Sequence, residues 1–310
     1  MKQNFINEVR AEGYLYEHKL EKKVSKANVE YIGGTISLAT DEECTNIVMF
    51  HFVYVTPTYS KSGATNPNYK ILENIIASGT TQTVMGAGKE KALKIRLNST
   101  IGLNEFYDRN DELVSQMRND GGFINVISSL NEKEDKRNLF KTDILITNIF
   151  RKEANEEKNI EEHAVVKGAI FNSFTKALLP VSFVVYNPEA ITYFENLEPS
   201  TSKPVFTKVW GNIVSREIIS IKETESAFGG KLVEESKSTK KEYMITGAQG
   251  DIYDWDSEET LLASELKEFM SARELHLAEI KKKAEEYKNS NNATVAPAAQ
   301  NTVSSGSFNF

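Results

Sequence analysis

At 310 residues the chain is long enough for two domains of ordinary size, and its 40% hydrophobic and 26% charged content is that of a globular protein with a real core. A single cysteine, Cys44, and four scattered histidines exclude a disulfide framework and a cysteine-rich zinc site, and point to a reducing, cytoplasmic setting. The net charge of −7 excludes a protein that is basic throughout, yet residues 223–310 carry 10 Lys and Arg against 16 Asp and Glu, so residues 1–222 are nearly neutral at 27 against 28 and leave room for a local basic groove.

Residues 1–29 are expected to form an N-terminal extension of weak helical character. They lack the apolar stretch of a signal peptide, and nowhere do about 18 apolar residues run together, so neither export nor membrane insertion is expected. From Glu30 the pattern changes to strand. Ile32, Ile36 and Leu38 share a face, and Gly33-Gly34 permits a bulge. Ile47–Val55 is apolar on both faces and is expected to be a central strand, with Phe50, Phe52 and Tyr54 on one side. A Pro- and Gly-containing loop from Thr56 to Pro67 precedes a short amphipathic helix over 68–78, with Ile71, Leu72, Ile75 and Ile76 on one side and Gly79 as its stop.

A strand is expected over 89–99, with Ile95 and Leu97 inward and Lys94 and Arg96 making a cationic outer face. Residues 103–116 read as turn-rich, and two further strands are expected over 123–127 and 143–150. Five strands, one short helix and bend-permitting glycines over 30–150 fit a five-stranded barrel of the oligonucleotide-binding (OB) type, with a two-layer α+β sheet as the competitor. Residues 151–250 form a second β-rich block. They are followed by an acidic cap and long amphipathic helix over 251–288, and by a low-complexity tail over 289–310 expected to lack order. In that helix Asp256 and Glu259 have capping-box spacing, and Leu262, Leu266, Phe269, Leu277, Ile280, Ala284 and Tyr287 form a stripe interrupted at Arg273. At 1.5 Å per residue the helix would be about 45 Å long, and would either dock along the sheets or pair with a second copy.

The candidate chemistry lies in the second block. In Val205–Ile213 the even positions present Phe206, Lys208, Trp210 and Asn212, and residues 165–171 repeat the plan with Lys167 and Phe171 on one face. Rings interleaved with ammonium groups can stack unpaired bases and hold their phosphates; strand aromatics of this kind can equally be core. The candidate set is stacking by Trp210, Phe206, Phe171 and Tyr54, with phosphate contacts from Lys208, Lys167, Lys94 and Arg96. Catalysis has no comparable pattern. MGAGKEK at 85–91 lacks the first glycine of a phosphate loop and has Glu90 where the magnesium-binding hydroxyl belongs. Asp251, Asp254 and Asp256 read as helix-dipole partners rather than a metal site, His51 as an interior histidine, and no cofactor is expected.

KGAIFNSF, LPVSFVVYNPEAITYFENL and PVFTKVWGNIVS, with an acidic, Asn- and Ser-rich C-terminus, resemble the OB-type single-stranded-DNA-binding proteins of bacteriophages. The resemblance covers most of residues 30–222. It implies a non-enzymatic protein that binds single-stranded DNA during phage replication or recombination in the host cytoplasm, and that recruits replication or recombination partners through its acidic C-terminal region. Phe308-Asn309-Phe310 keeps the terminal aromatic of such tails but has no adjacent acid. The alternative is a protein-interaction module, a virion component or an inhibitor of a host factor, using the aromatic face and the long helix.

Overall fold

The computed structural model describes residues 5–292, except 60–61, 109, 157–159, 173–175, 202, 226–227, 229–230, 255–256 and 259, with the backbone alone at 216–225, 231–240 and 289–292. In chain order its elements are β1 (Asn7–His18), β2 (Glu21–Val24), β3 (Glu30–Ala39), β4 (Ile47–Val55), α1 (Pro67–Ser78), α2 (Val84–Ala87), β5 (Lys94–Ser99), β6 (Ile101–Tyr107), β7 (Leu113–Asp120) and β8 (Phe123–Val126). There follow β9 (Asn138–Lys152), β10 (His163–Asn172), β11 (Ala177–Val185), α3 (Pro188–Glu195), β12 (Val205–Glu225), β13 (Lys231–Ala248) and α4 (Ala263–Asn292). The fold is mainly β, with a long C-terminal helix and a few short ones, as the sequence pattern led us to expect.

The N-terminus departs from that expectation. It is no helical extension: β1 pairs antiparallel with β3, β5 and β9. The alternation that builds it was present in the sequence, since Val9, Ala11 and Leu15 are buried to within 1% on one face. Gly13 completes that row, because a Cβ there would fall 2.4 Å from the carbonyl oxygen of Ala39 on the neighbouring strand. The stretch read as turn-rich is the hairpin β6–β7. The chain reverses between Tyr107 and Leu113, where Asp108 accepts bonds from the N–H groups of Asn110 and Glu112. The strand expected from Lys89 begins only at Lys94, after a 3₁₀ turn over Lys89–Lys91.

α1 forms where its signals place it: Asn66 caps the N–H of Asn68 at 3.1 Å, Pro67 occupies the first turn, Gly79 ends the helix at φ 56°, and Tyr69, Leu72 and Ile75 enter the core. One continuous core runs from Val9 to Ile245 and takes strands from both expected blocks. Between them lies β9, which pairs with β1 in the first block and with β10 and β12 in the second, so the boundary drawn at 150/151 falls inside this strand. α4 packs against β6 and β11. Its interruption at Arg273 is resolved by a bidentate pair with Glu105 of β6, both contacts at 2.5 Å. The Asp256–Glu259 capping box and most of the tail, including Phe308-Asn309-Phe310, lie outside the described residues. Glu265 instead accepts the Leu262 N–H at 3.2 Å ahead of the first helical turn.

Candidate nucleic-acid interface

Strand β12 alternates as its sequence requires, with Val205, Val209 and Ile213 directed into the core. Its other face has two fates. Phe206 is 1% exposed, and Phe171 on β10, packed beside it, is fully buried, so neither offers a ring to a base, contrary to the expectation from their spacing. The cause is tertiary: Phe5, Leu261 and Phe269 of α4 cover this part of the sheet. Phe5 stacks on Phe171 at 4.0 Å, and Tyr253 packs against Phe206 at 4.6 Å. Two large rings placed side by side bury more apolar area under a helix than they could in solvent.

Trp210 lies beyond this cover and remains 40% exposed. Its cross-strand neighbour is Gly247, where a Cβ would stand 2.4 Å from the indole Nε1, so the ring rests against bare backbone. On the other side of β12 it faces Lys141 of β9, which in turn faces Glu8 of β1. Opposite residues on one sheet face are direct neighbours. Arg10, Lys136 and Lys208 complete the lining of a groove of about 520 Å³ in which Glu8 is the one carboxylate among the lining residues. Arg10 is also held by Glu12 at 2.8 Å and Lys136 by Asp135 at 3.1 Å.

Lys208 is positioned from below. Its Nζ lies 5.7 Å over the Tyr253 ring, and a hydrogen bond with Tyr253 raises its pKa above the ordinary lysine value. The Tyr253 hydroxyl also donates to Asp143 at 3.1 Å, and the Ile6 N–H donates to the same carboxylate at 2.7 Å. Asp143 is fully buried, which pushes its pKa up against the pull of those bonds and of Lys208 and Lys141.

The remaining candidates are dispersed. Arg96 is committed to Glu12, which is 2% exposed and also receives Arg10 and the Asn131 N–H. Burial would raise the pKa of Glu12, but the two arginines overcome it and keep the carboxylate charged. An arginine neutralising a buried acid is not a free phosphate contact, which corrects that expectation. Lys94 reaches the Ser128 carbonyl at 3.5 Å and sits 6.0 Å from the Tyr14 ring. Tyr54 is 50% exposed and tilted against Tyr31 at 4.5 Å, on a different strand region. Lys167 lies in a separate cleft, its Nζ 5.0 Å over Phe150.

Of the eight candidates, then, Trp210 and Lys208 share a site, to which the structure adds Arg10, Lys136 and Lys141. No cluster of three or more His, Cys, Asp or Glu is placed to hold a metal among the described residues, nor is any helix there long and apolar enough to cross a membrane.

A family model described as YorF matches residues 6–289. The chain belongs to the YorF family. None of the curated proteins matches it. Among solved structures, a deletion variant of the single-stranded DNA binding protein from Thermus aquaticus aligns with a TM-score of 0.46 and 9% identity, covering 81% of this chain and 96% of its own. The wild-type Thermus aquaticus protein aligns with a TM-score of 0.44 and 10% identity, covering 80% and 93%.

Proposed function

We propose that this chain binds single-stranded DNA with little sequence preference and without chemistry of its own, in support of phage replication or recombination in the host cytoplasm. The observation that carries this is the row Lys141–Trp210 across β9 and β12, a half-exposed indole lying on glycine backbone beside Lys136, Lys141 and Lys208, with Arg10 tied to Glu12, in a chain whose net charge is −7. An exposed indole supplies a face for any base, because every base has a π-surface, and the cations neutralise phosphates on either side. A duplex keeps its bases stacked and offers the ring nothing.

The test is a fluorescence-anisotropy titration with single strand, duplex and RNA as competitors. Trp210→Ala is expected to weaken single-strand binding by about 1–3 kcal/mol while the melting temperature stays close to that of the unaltered chain. Lys208→Ala and Lys141→Ala should each lower the slope of log affinity against log salt by about 0.7. Duplex binding as tight as single-strand binding, or a Trp210→Ala protein that binds strand normally, would overturn the assignment.

A further inference from the structure

A second group of positive side chains lies away from Trp210. A cleft of about 800 Å³ opens between β4 and β7 on one wall and the ends of β9, β10 and β11 on the other. Arg118, Arg151, Lys152, Lys167 and Lys241 line it, together with Phe150, which is 43% exposed. The two arginines are already engaged, Arg118 by Asp120 at 2.7 Å and Arg151 by Glu162 at 2.7 Å. Lys152, Lys167 and Lys241 form no ion pair among the described residues. The one lining carboxylate, Glu242, accepts a hydrogen bond from Tyr186 at 2.7 Å. Nearby protein strips water from Lys241 and lowers its pKa, although much of the side chain still reaches solvent. A low-dielectric cleft lined by one sign of charge concentrates anions.

An anion alone would leave Phe150 unexplained. The ring stands open at the cleft with the Lys167 ammonium 5.0 Å from its centroid, so an aromatic face and a cation are side by side, as Trp210 and Lys141 are cross-strand neighbours in the first groove. A nucleotide unit meets both demands, a flat base for the ring and a phosphate for the lysines. We infer that this cleft is a second binding site for single-stranded nucleic acid, a conclusion that rests on the Trp210 groove being the first. Lys141 and Phe150 are both on β9, and nine residues at ~3.3 Å each set the two sites about 30 Å apart. A strand that reaches both sites gains from the effective concentration of its second contact.

The test uses the full chain and oligothymidylates of about 8 and about 30 nucleotides, chosen around the ~4–16 nucleotides that one OB-type surface holds. The unaltered chain should take two short strands, but one long strand with higher affinity. A Phe150→Ala/Lys152→Gln protein should take one short strand and bind the long one roughly tenfold more weakly. Lys241→Gln, as an independent variant, should reduce the salt slope by about 0.7 for the long strand. Circular dichroism checks that each variant is folded. Unchanged stoichiometry and unchanged long-strand affinity in the Phe150→Ala/Lys152→Gln protein would overturn the second site and leave the Trp210 groove standing. Two short strands still bound by a Trp210→Ala protein would instead remove the first. A Trp210→Ala protein that binds poly-glutamate but no strand would make the cleft a site for acidic protein, and would overturn the inference.

Discussion

Glu42 receives Arg137 at 2.7 Å and Lys89 at 3.0 Å, and accepts from the Tyr14 hydroxyl at 3.1 Å. The Arg137 and Lys89 bonds hold its carboxyl down at about 2, against an ordinary 4.5. A group with a depressed folded pKa contributes stability above its unfolded pKa and loses it as pH falls, here from 4.5 toward about 2. Glu42→Gln is therefore expected to lower the melting temperature at neutral pH and to flatten its decline across that acid window. Parallel thermal melts at stepped pH would show it, and identical acid limbs for the two proteins would refute it. Arg137, only 4% exposed, is the reason the neutral-pH cost should be measurable, since its guanidinium would lose its carboxylate partner.

The element on which most depends is α4. Its apolar stripe was legible from spacing alone: Phe269 is buried, Leu262, Leu266, Leu277, Ile280 and Ala284 are partly covered, while Met270 and Leu275 point outward at 51% and 68% exposure. Tyr287, counted in the stripe by its spacing, is 70% exposed. Arg273 looked like a break in that stripe and is a clamp, because Glu105, 2% exposed on β6, waits beneath it. Arg273→Met would take the guanidinium from the buried Glu105 side chain, leaving it Ser115 and the His276 ring at 3.7 Å, and should cost about 3 kcal/mol. Leu275→Ala, in the outward row, should change stability by less than about 0.5 kcal/mol. Urea denaturation of the two variants distinguishes them, and equal, small effects would mean that α4 is not fastened at this point. Sequence could not reveal the clamp, since Arg273 and Glu105 are 168 positions apart and each alone is an ordinary charged residue.

At the scale of the whole molecule, β9 makes the two strand-rich blocks share one ladder and one core from Val9 to Ile245. We expect a single calorimetric transition with matching calorimetric and van't Hoff enthalpies, whereas two resolved transitions would show the blocks unfolding apart. The sequence by itself determined the local outcomes. Period-two alternation fixed β3, β4, β10 and β12, Asn66, Pro67 and Gly79 bounded α1, and the charge distribution left a body able to carry a basic groove. These are set by neighbours within a few residues, where sterics and backbone hydrogen bonding act directly. Tertiary structure alone decided which strand aromatics stay open. Phe206 and Trp210 lie on one face of one strand with equal claims by spacing, yet α4 and Phe5 arrive over the first and only Gly247 backs the second. It also spent Arg96 on the buried Glu12 and brought Lys141 and Arg10 beside the indole. Exposure is a property of what packs over a residue, and that cover comes from chain segments far away in sequence, whose arrival no local pattern encodes.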